Sequence, residues 1–148
     1  MVFVNTSTED HREWGKTTNG RCWELLGTAD RTPDQDRELI DCAHASLWHW
    51  RYGGTAINEQ RGEWMIAHAY ARLGRPLESL EHAQRCLDIT MAEQLEGFDL
   101  GYAYEAMARA LALRDDPAAA DWRAKATAVG ETITDDEDRS IFLGDLNS

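Results

Sequence analysis

Residues 41–50 carry side chains that could do chemistry. They read DCAHASLWHW and combine histidine, tryptophan, cysteine and aspartate. Asp41 and His44 are three residues apart, and His82 and Cys86 are four apart, so each pair would share one face of a helix. A zinc site needs three or four converging donors, and nothing in the sequence brings these two pairs together. We therefore predict no metal or other cofactor. In this interpretation the histidines form hydrogen bonds with carboxylates or carbonyls. The alternative is a metal site made of these four residues.

Catalysis is the second possibility that these side chains raise. Cys42, Cys86 or Ser46 would each need a base and an orienting group within hydrogen-bond distance. The H-E-x-x-H pattern and the glycine-rich phosphate loops are absent from the sequence. We predict a protein without catalytic activity. The alternative is a small metal-dependent or ligand-binding enzyme centred on four polar residues: His44, His49, His82 and Glu105.

The elements that would position these residues are helices. No segment shows the strict alternation of a half-buried strand, whereas apolar residues recur at helical spacing along the chain. We predict an all-α fold of about seven helices in a single domain over residues 1–148, with residues 1–8 flexible. The expected helices are about Glu9–Leu26, Pro33–Tyr52, Asn58–Leu73, Pro76–Ile89 and Phe98–Leu113, then one from Pro117 and a short last one from the Thr134 region.

Start and stop signals support these boundaries. Residues 32–35, TPDQ, combine a capping threonine, a proline suited to the first helical position and a glutamine that completes a capping box. Residues 134–137, TDDE, predict a second capping box at the last helix. Gly74 is predicted to end helix three in the left-handed conformation.

The short connections at Gly74 and at residues 115–117 predict two antiparallel hairpins, formed by helices three and four and by helices five and six. Small residues lie where the paired helices would approach: Ala67 with Ser79, and Ala108 with Ala120. The stretch WMIAHAYARLGRPLESLEHAQRCL resembles a tetratricopeptide repeat, and GYAYEAMARALALRDDPAAADWRAKA is a poorer match. This resemblance implies a short right-handed stack of antiparallel hairpins with a C-terminal capping helix.

A wider set of motifs covers the chain from Trp23 to Arg139. The motifs are WELL, RTPDQD, AHAS, HW, RGEW, EHAQRCL, FDLGYAYEA and DDEDR. Together they resemble a family of small, uncharacterised bacterial proteins. That resemblance supports the fold and implies no particular chemistry.

In a tetratricopeptide-like stack, the first helix of each hairpin lines a concave groove. Arginine and aromatic residues dominate binding hot spots. On the groove side of helices three and five, such residues occur with the same i, i+3, i+7 spacing. We therefore predict a protein- or peptide-binding groove lined by helices one, three and five, in which Arg61 and Arg109 could contact a carboxylate. The competing interpretation is that Glu105 and Arg109 form a plain surface pair and Trp64 belongs to the core. The candidate groove residues are Arg61, Trp64, His68, Tyr102, Glu105 and Arg109.

Charge and composition restrict the partners. The formal net charge is −12, which repels a phosphate backbone, so we expect no nucleic acid partner. No run of about 18 apolar residues could cross a membrane, and no secretory signal is recognisable. Three cysteines without a C-x-x-C pair are typical of reduced thiols in the cytoplasm. Open helical stacks also expose apolar end surfaces, so a self-associating homodimer is a further alternative.

Overall fold

The computed structural model describes residues 6–148. Within this range the chain forms seven helices and no strand, which confirms the all-α prediction. The helices are α1 (Thr8–Leu26), α2 (Pro33–Gly53), α3 (Ala56–Arg72), α4 (Pro76–Ala92), α5 (Gly97–Ala112), α6 (Ala118–Glu131) and α7 (Asp136–Leu146). The expected boundaries agree with these to within three residues. Residues 1–5 of the segment expected to be flexible lie outside the described residues, while Ser7 caps α1. None of the helices in residues 6–148 is long and apolar enough to cross a membrane.

The helix starts depend on side-chain caps. The Thr32 hydroxyl accepts the Gln35 N–H at 3.2 Å, and the Gln35 side chain accepts the Thr32 N–H at 2.9 Å, which confirms the predicted capping box. At α7 the predicted box is wrong. The cap is Asp135, whose carboxylate accepts the Asp138 N–H at 2.9 Å. A carboxylate at this position satisfies the free N–H group and also interacts with the positive end of the helix, so it displaces Thr134 from that role.

The helix ends use the left-handed conformation. Gly74 has φ +69°, and the Arg75 N–H donates to the Tyr70 carbonyl at 2.9 Å, which confirms the predicted cap. Gln94 and Asp115 adopt the same conformation after α4 and α5, with φ of 53° and 52°. The turns are therefore tight enough to reverse the chain.

Consecutive helices pack as antiparallel hairpins that stack on one another. In the first hairpin the buried Ser46 hydroxyl of α2 donates to the Gly15 carbonyl of α1 at 3.1 Å. In the second, the Ser79 hydroxyl of α4 donates to the Ala67 carbonyl of α3 at 2.8 Å, at the predicted point of close approach. Small side chains thus allow each pair of helices to approach closely enough for a side chain to reach the neighbouring backbone.

The third hairpin has a different contact from the predicted one. Ala118 and Ala119 of α6 pack against the core, whereas Ala120 is exposed. The Asp116 carboxylate accepts the Ala118 N–H at 2.9 Å and fixes where α6 begins. Because each helical residue is rotated by about 100° from the one before, that start turns Ala120 to solvent.

Helix α7 closes the end of the stack through Phe142. Its ring is fully buried at 0% exposure and packs against two glycines, Gly101 of α5 and Gly130 of α6. A Cβ atom would lie 2.9 Å from the ring at Gly101 and 2.6 Å from it at Gly130, so both positions need glycine for this packing. The predicted C-terminal capping helix is confirmed, and Leu146 adds to its buried face.

We expect Phe142→Ala to lower the free energy of unfolding by about 3 kcal/mol, because it leaves a cavity where the ring fills the glycine-lined site. Ile141→Ala is the matched control, since Ile141 lies on the same helix and is 48% exposed. Its expected loss is below about 1 kcal/mol. Urea unfolding followed by circular dichroism measures both, and equal losses would contradict the packing of α7 described here.

Candidate functional site

Helices α1, α3, α5 and α7 together line a surface groove. Part of it is a cavity of about 310 Å³, which we call the aromatic cleft. One large side chain from each helix contributes to its walls: Trp23, Trp64, Tyr102 and Ile141. The groove was predicted from α1, α3 and α5, and the contribution of α7 was missed. The burial of Phe142 turns the neighbouring Ile141 into the groove, and the sequence of α7 alone carries no signal for that.

Trp64 is the centre of an aromatic stack. Its ring stacks on His68 with 4.8 Å between centroids and on Trp23 with 5.9 Å, and the edge of Tyr102 meets it at 5.3 Å. Offset-stacked and edge-to-face geometries of this kind add stability beyond the area they bury. Trp23 is 51% exposed, so the stack presents apolar surface to solvent.

A buried carboxylate holds this stack in place. Glu105 is only 2% exposed, and it accepts hydrogen bonds from the Trp64 indole N–H at 2.9 Å and from the Arg109 guanidinium. Glu105 and Arg109 are therefore a largely buried pair and not the plain surface pair considered above. A buried charge needs such partners to be stable, so Glu105 fixes both side chains.

The two arginines expected to contact a carboxylate are paired within the chain. Arg61 binds Asp99 through two hydrogen bonds of 2.9 and 3.4 Å at the rim of the groove. Arg109 binds Glu105 and also donates to the Asp145 carbonyl at 3.2 Å. Five of the six expected groove residues thus line the groove and Glu105 is buried against two of them, Trp64 and Arg109; a ligand carboxylate would compete with the partners of both arginines.

A second cavity of about 270 Å³ adjoins the aromatic cleft, and we call it the basic cleft. The two share Trp23, Trp64 and Asp145 as walls. The basic cleft is also lined by His68, Arg72 and Arg109. Sequence reasoning missed Arg72, although its position four residues after His68 on α3 places it on the same helix face.

His68 is neutral in the folded protein. Burial, followed by the positive charges of Arg109 and Arg72, lowers its pKa to about 3. Its Nδ1 atom is enclosed and has no hydrogen-bond partner among residues 6–148. A buried polar atom without a partner is uncommon in folded proteins. The groove therefore contains an imidazole whose hydrogen-bonding capacity is unused.

His44 and His82 lie away from the groove, between α2, α3 and α4. The His44 Nε2 atom shares a hydrogen bond of 3.1 Å with the Tyr70 hydroxyl, and its ring meets His82 edge-on at 5.3 Å. His82 is buried, and its Nδ1 atom is 2.6 Å from the carboxylate of the buried Glu63. Sequence reasoning missed Glu63, although it lies three residues before Ile66 and seven before Tyr70, on a buried helix face.

The four residues of the metal alternative do not all converge. His44 and His82 approach each other, whereas Asp41 is exposed on α2. Cys86 is fully buried in the apolar core, and burial raises the pKa of its thiol. Over the described range 6–148, no three His, Cys, Asp or Glu side chains are grouped so that they could hold a metal ion.

His49 belongs to a separate aromatic cluster at the outer face of the first hairpin. Its Nδ1 atom is 3.0 Å from that of His11, so one ring donates and the other accepts. Burial and the neighbouring His11 lower the pKa of His49. Trp14 and Trp48 pack around the two rings. The four residues of the enzyme alternative are therefore distributed over three places: the His44–His82 pair, the His49 cluster and Glu105 in the groove.

Comparisons with known proteins give no relative. No protein-family model matches the chain, and no curated protein or solved structure gives a significant match. The resemblances to tetratricopeptide repeats and to the small bacterial family stay predictions from the sequence.

The low pKa of His68 predicts a pH dependence of stability. In the unfolded chain its pKa returns to about 6.5, so between about pH 6.5 and pH 3 the unfolded state binds more protons and stability falls as the pH falls. We expect wild type to lose more free energy of unfolding than His68→Phe when the pH is lowered from about 7 to about 4.5. Phenylalanine keeps the stack on Trp64 without the titratable group. Urea unfolding at both pH values tests this, and an equal loss in the two proteins would refute it.

Proposed function

We propose that the protein is a non-catalytic binding module whose groove takes an extended peptide segment of a partner protein. The observation that carries this proposal is the aromatic cleft, where Trp23, Tyr102 and Ile141 present apolar surface around the fixed ring of Trp64. Its volume of about 310 Å³ suits one or two apolar side chains of a ligand. The first helices of successive hairpins line the groove, as they do in a tetratricopeptide-like stack.

The rings of the cleft are held before any ligand binds. The Trp64 indole donates to Glu105, and the Tyr102 hydroxyl donates to the Asp145 carboxylate. A site whose side chains are already ordered loses less conformational entropy on binding, so more of the contact energy appears as affinity. Preorganised aromatic side chains at the centre of a groove are typical of binding hot spots.

The polar rim favours an apolar anchor over a carboxylate as the main contact in the aromatic cleft. Arg61, at this rim, already shares two hydrogen bonds with Asp99. A ligand carboxylate at Arg61 would have to displace that partner, whereas an apolar side chain needs only to displace water. Arg61 and Asp99 then serve as the polar edge that surrounds the apolar centre.

The distribution of candidate catalytic residues also favours binding. His44 and His82 form hydrogen bonds with Tyr70 and Glu63 between α2, α3 and α4. Neither histidine lines the aromatic or the basic cleft. His49 is paired with His11 on another face. Acid–base or nucleophilic catalysis needs its groups within hydrogen-bond reach of one substrate, and the groove does not combine them.

We expect Trp23→Ala to weaken peptide binding by about ten-fold or more, because it removes the exposed wall of the aromatic cleft. Peptides selected from a displayed library against the full chain are resynthesised, and their affinities are measured by fluorescence anisotropy. Trp14→Ala is the matched control: Trp14 lies on the same helix, is 45% exposed and packs against His11 and His49. The proposal fails if selection enriches no peptide, or if the two variants weaken binding equally.

A further inference from the structure

We propose that the basic cleft is a subsite for the carboxylate of an acidic side chain in the bound peptide, held by Arg72 and Arg109 with His68 as a neutral hydrogen-bond donor. This inference rests on the proposed function, because the same peptide would place an apolar residue in the aromatic cleft. It differs from the contact expected from the sequence, since Arg72 replaces Arg61 as the partner of Arg109.

Arg72 supplies the uncompensated charge. It is the last residue of α3, it is exposed, and it lines the basic cleft. In the part of the chain that the structure describes, the side chain of Arg72 makes no hydrogen bond or ion pair. Arg61, in contrast, is paired with Asp99, and Arg109 is paired with Glu105. A guanidinium offers a fork of N–H donors that matches the two oxygens of a carboxylate.

Arg109 supplies a further donor to the basic cleft. Its Nε atom binds Glu105 and its Nη2 atom binds the Asp145 carbonyl, while Nη1 has no partner within residues 6–148. Glu105 and the Asp145 carbonyl hold the guanidinium in place, so this remaining donor has a fixed position in the cleft. A fixed donor loses little entropy when a ligand binds.

His68 lines the basic cleft together with these two arginines. Burial lowers the pKa of its ring, and the charges of both guanidinium groups lower it further. Nδ1 is enclosed, and Nε2 has no partner among residues 6–148, so Nε2 is the nitrogen that a ligand can reach. In the tautomer with its proton on Nε2, the neutral imidazole donates one hydrogen bond to an acceptor.

Asp145 is the acidic residue that lines the same cleft. Its carboxylate accepts the Tyr102 hydroxyl, and this bond directs it toward the aromatic cleft. Its carbonyl, in turn, accepts a hydrogen bond from Arg109. The backbone of Asp145 therefore helps to position Arg109, while Arg72 has no acidic partner among residues 6–148.

The groove continues beyond the basic cleft, which favours a side-chain carboxylate over the end of a peptide. A third cavity of about 250 Å³, lined by α5, α6 and α7 residues, shares Arg109 and Ser148 with the basic cleft. The basic cleft thus shares wall residues with two neighbouring cavities, which suits an extended peptide that continues past it. The recognised segment combines an apolar residue with a nearby aspartate or glutamate.

The test uses capped peptides, acetylated at the N-terminus and amidated at the C-terminus, titrated into the full chain. Each peptide carries one phenylalanine and, at each neighbouring position in turn, either glutamate or glutamine. We expect one spacing at which the glutamate peptide binds about ten-fold tighter than its glutamine twin. Arg72→Gln should abolish that difference, so that the glutamate and glutamine peptides bind this variant with equal affinity. Arg114→Gln is the matched control, since Arg114 is exposed in the α5–α6 connection and does not line the three cavities.

The other outcomes separate the two proposals. If glutamate and glutamine peptides bind equally at every spacing but still depend on Trp23, the carboxylate subsite is wrong and the proposed function stands. If Arg72→Gln and Arg114→Gln reduce the glutamate preference equally, the preference reflects overall charge, and the subsite is again wrong. A preference only for peptides with a free C-terminal carboxylate overturns the assignment to a side chain. If no peptide binds, the proposed function fails as well.

Discussion

The hydrogen bond between the Trp64 indole and the buried carboxylate of Glu105 connects the core of this protein to its groove. Trp64 packs against two of the three core clusters, one built from α1, α2 and α3 and the other from α3 to α6. The same ring is a wall of both the aromatic and the basic cleft. The Glu105 side chain is 2% exposed and needs hydrogen-bond donors at that depth, so its burial requires the Trp64–Glu105–Arg109 arrangement, which also orders the surface of the groove.

Other buried polar groups have structural partners, and they fix how the hairpins stack. The Gln60 side chain donates to the Thr90 hydroxyl and to the Asp99 carbonyl, which ties α3 to α4 and to α5. Glu63 and His82 form a second buried link between α3 and α4. Leaving a buried donor unpaired costs more free energy than a hydrogen bond contributes. Such pairs therefore favour the one register of helix packing in which the bonds form. The His68 Nδ1 atom differs from these groups, because it has no partner in the part of the chain that the structure describes, and its ring lies in the groove.

Much of the fold and part of the candidate site follow from sequence patterns. Residues 32–35 and Gly74 predicted a helix start and a helix end because their caps are local interactions within a few residues. The i, i+3, i+7 spacing on α3 and α5 placed Trp64 and Glu105 on facing strips, since helical geometry fixes which residues share a face. The pairing of Arg61 with Asp99 was not predicted, because it joins residues 38 apart through the packing of α3 against α5.

The segment DCAHASLWHW separates what the sequence determines from what only the tertiary structure decides. The sequence by itself determined that it is helical, that it has an apolar stripe, and that His44 and His49 need partners. Only the tertiary structure decided that those partners are Tyr70 and His11. It also decided that α7 would contribute to the groove and that Arg72 would have no acidic partner within the described range 6–148. Helix periodicity is set by hydrogen bonds four residues apart and can be read along the chain. Contacts between helices depend on how whole faces fit together, and that fit exists only once the helices have packed.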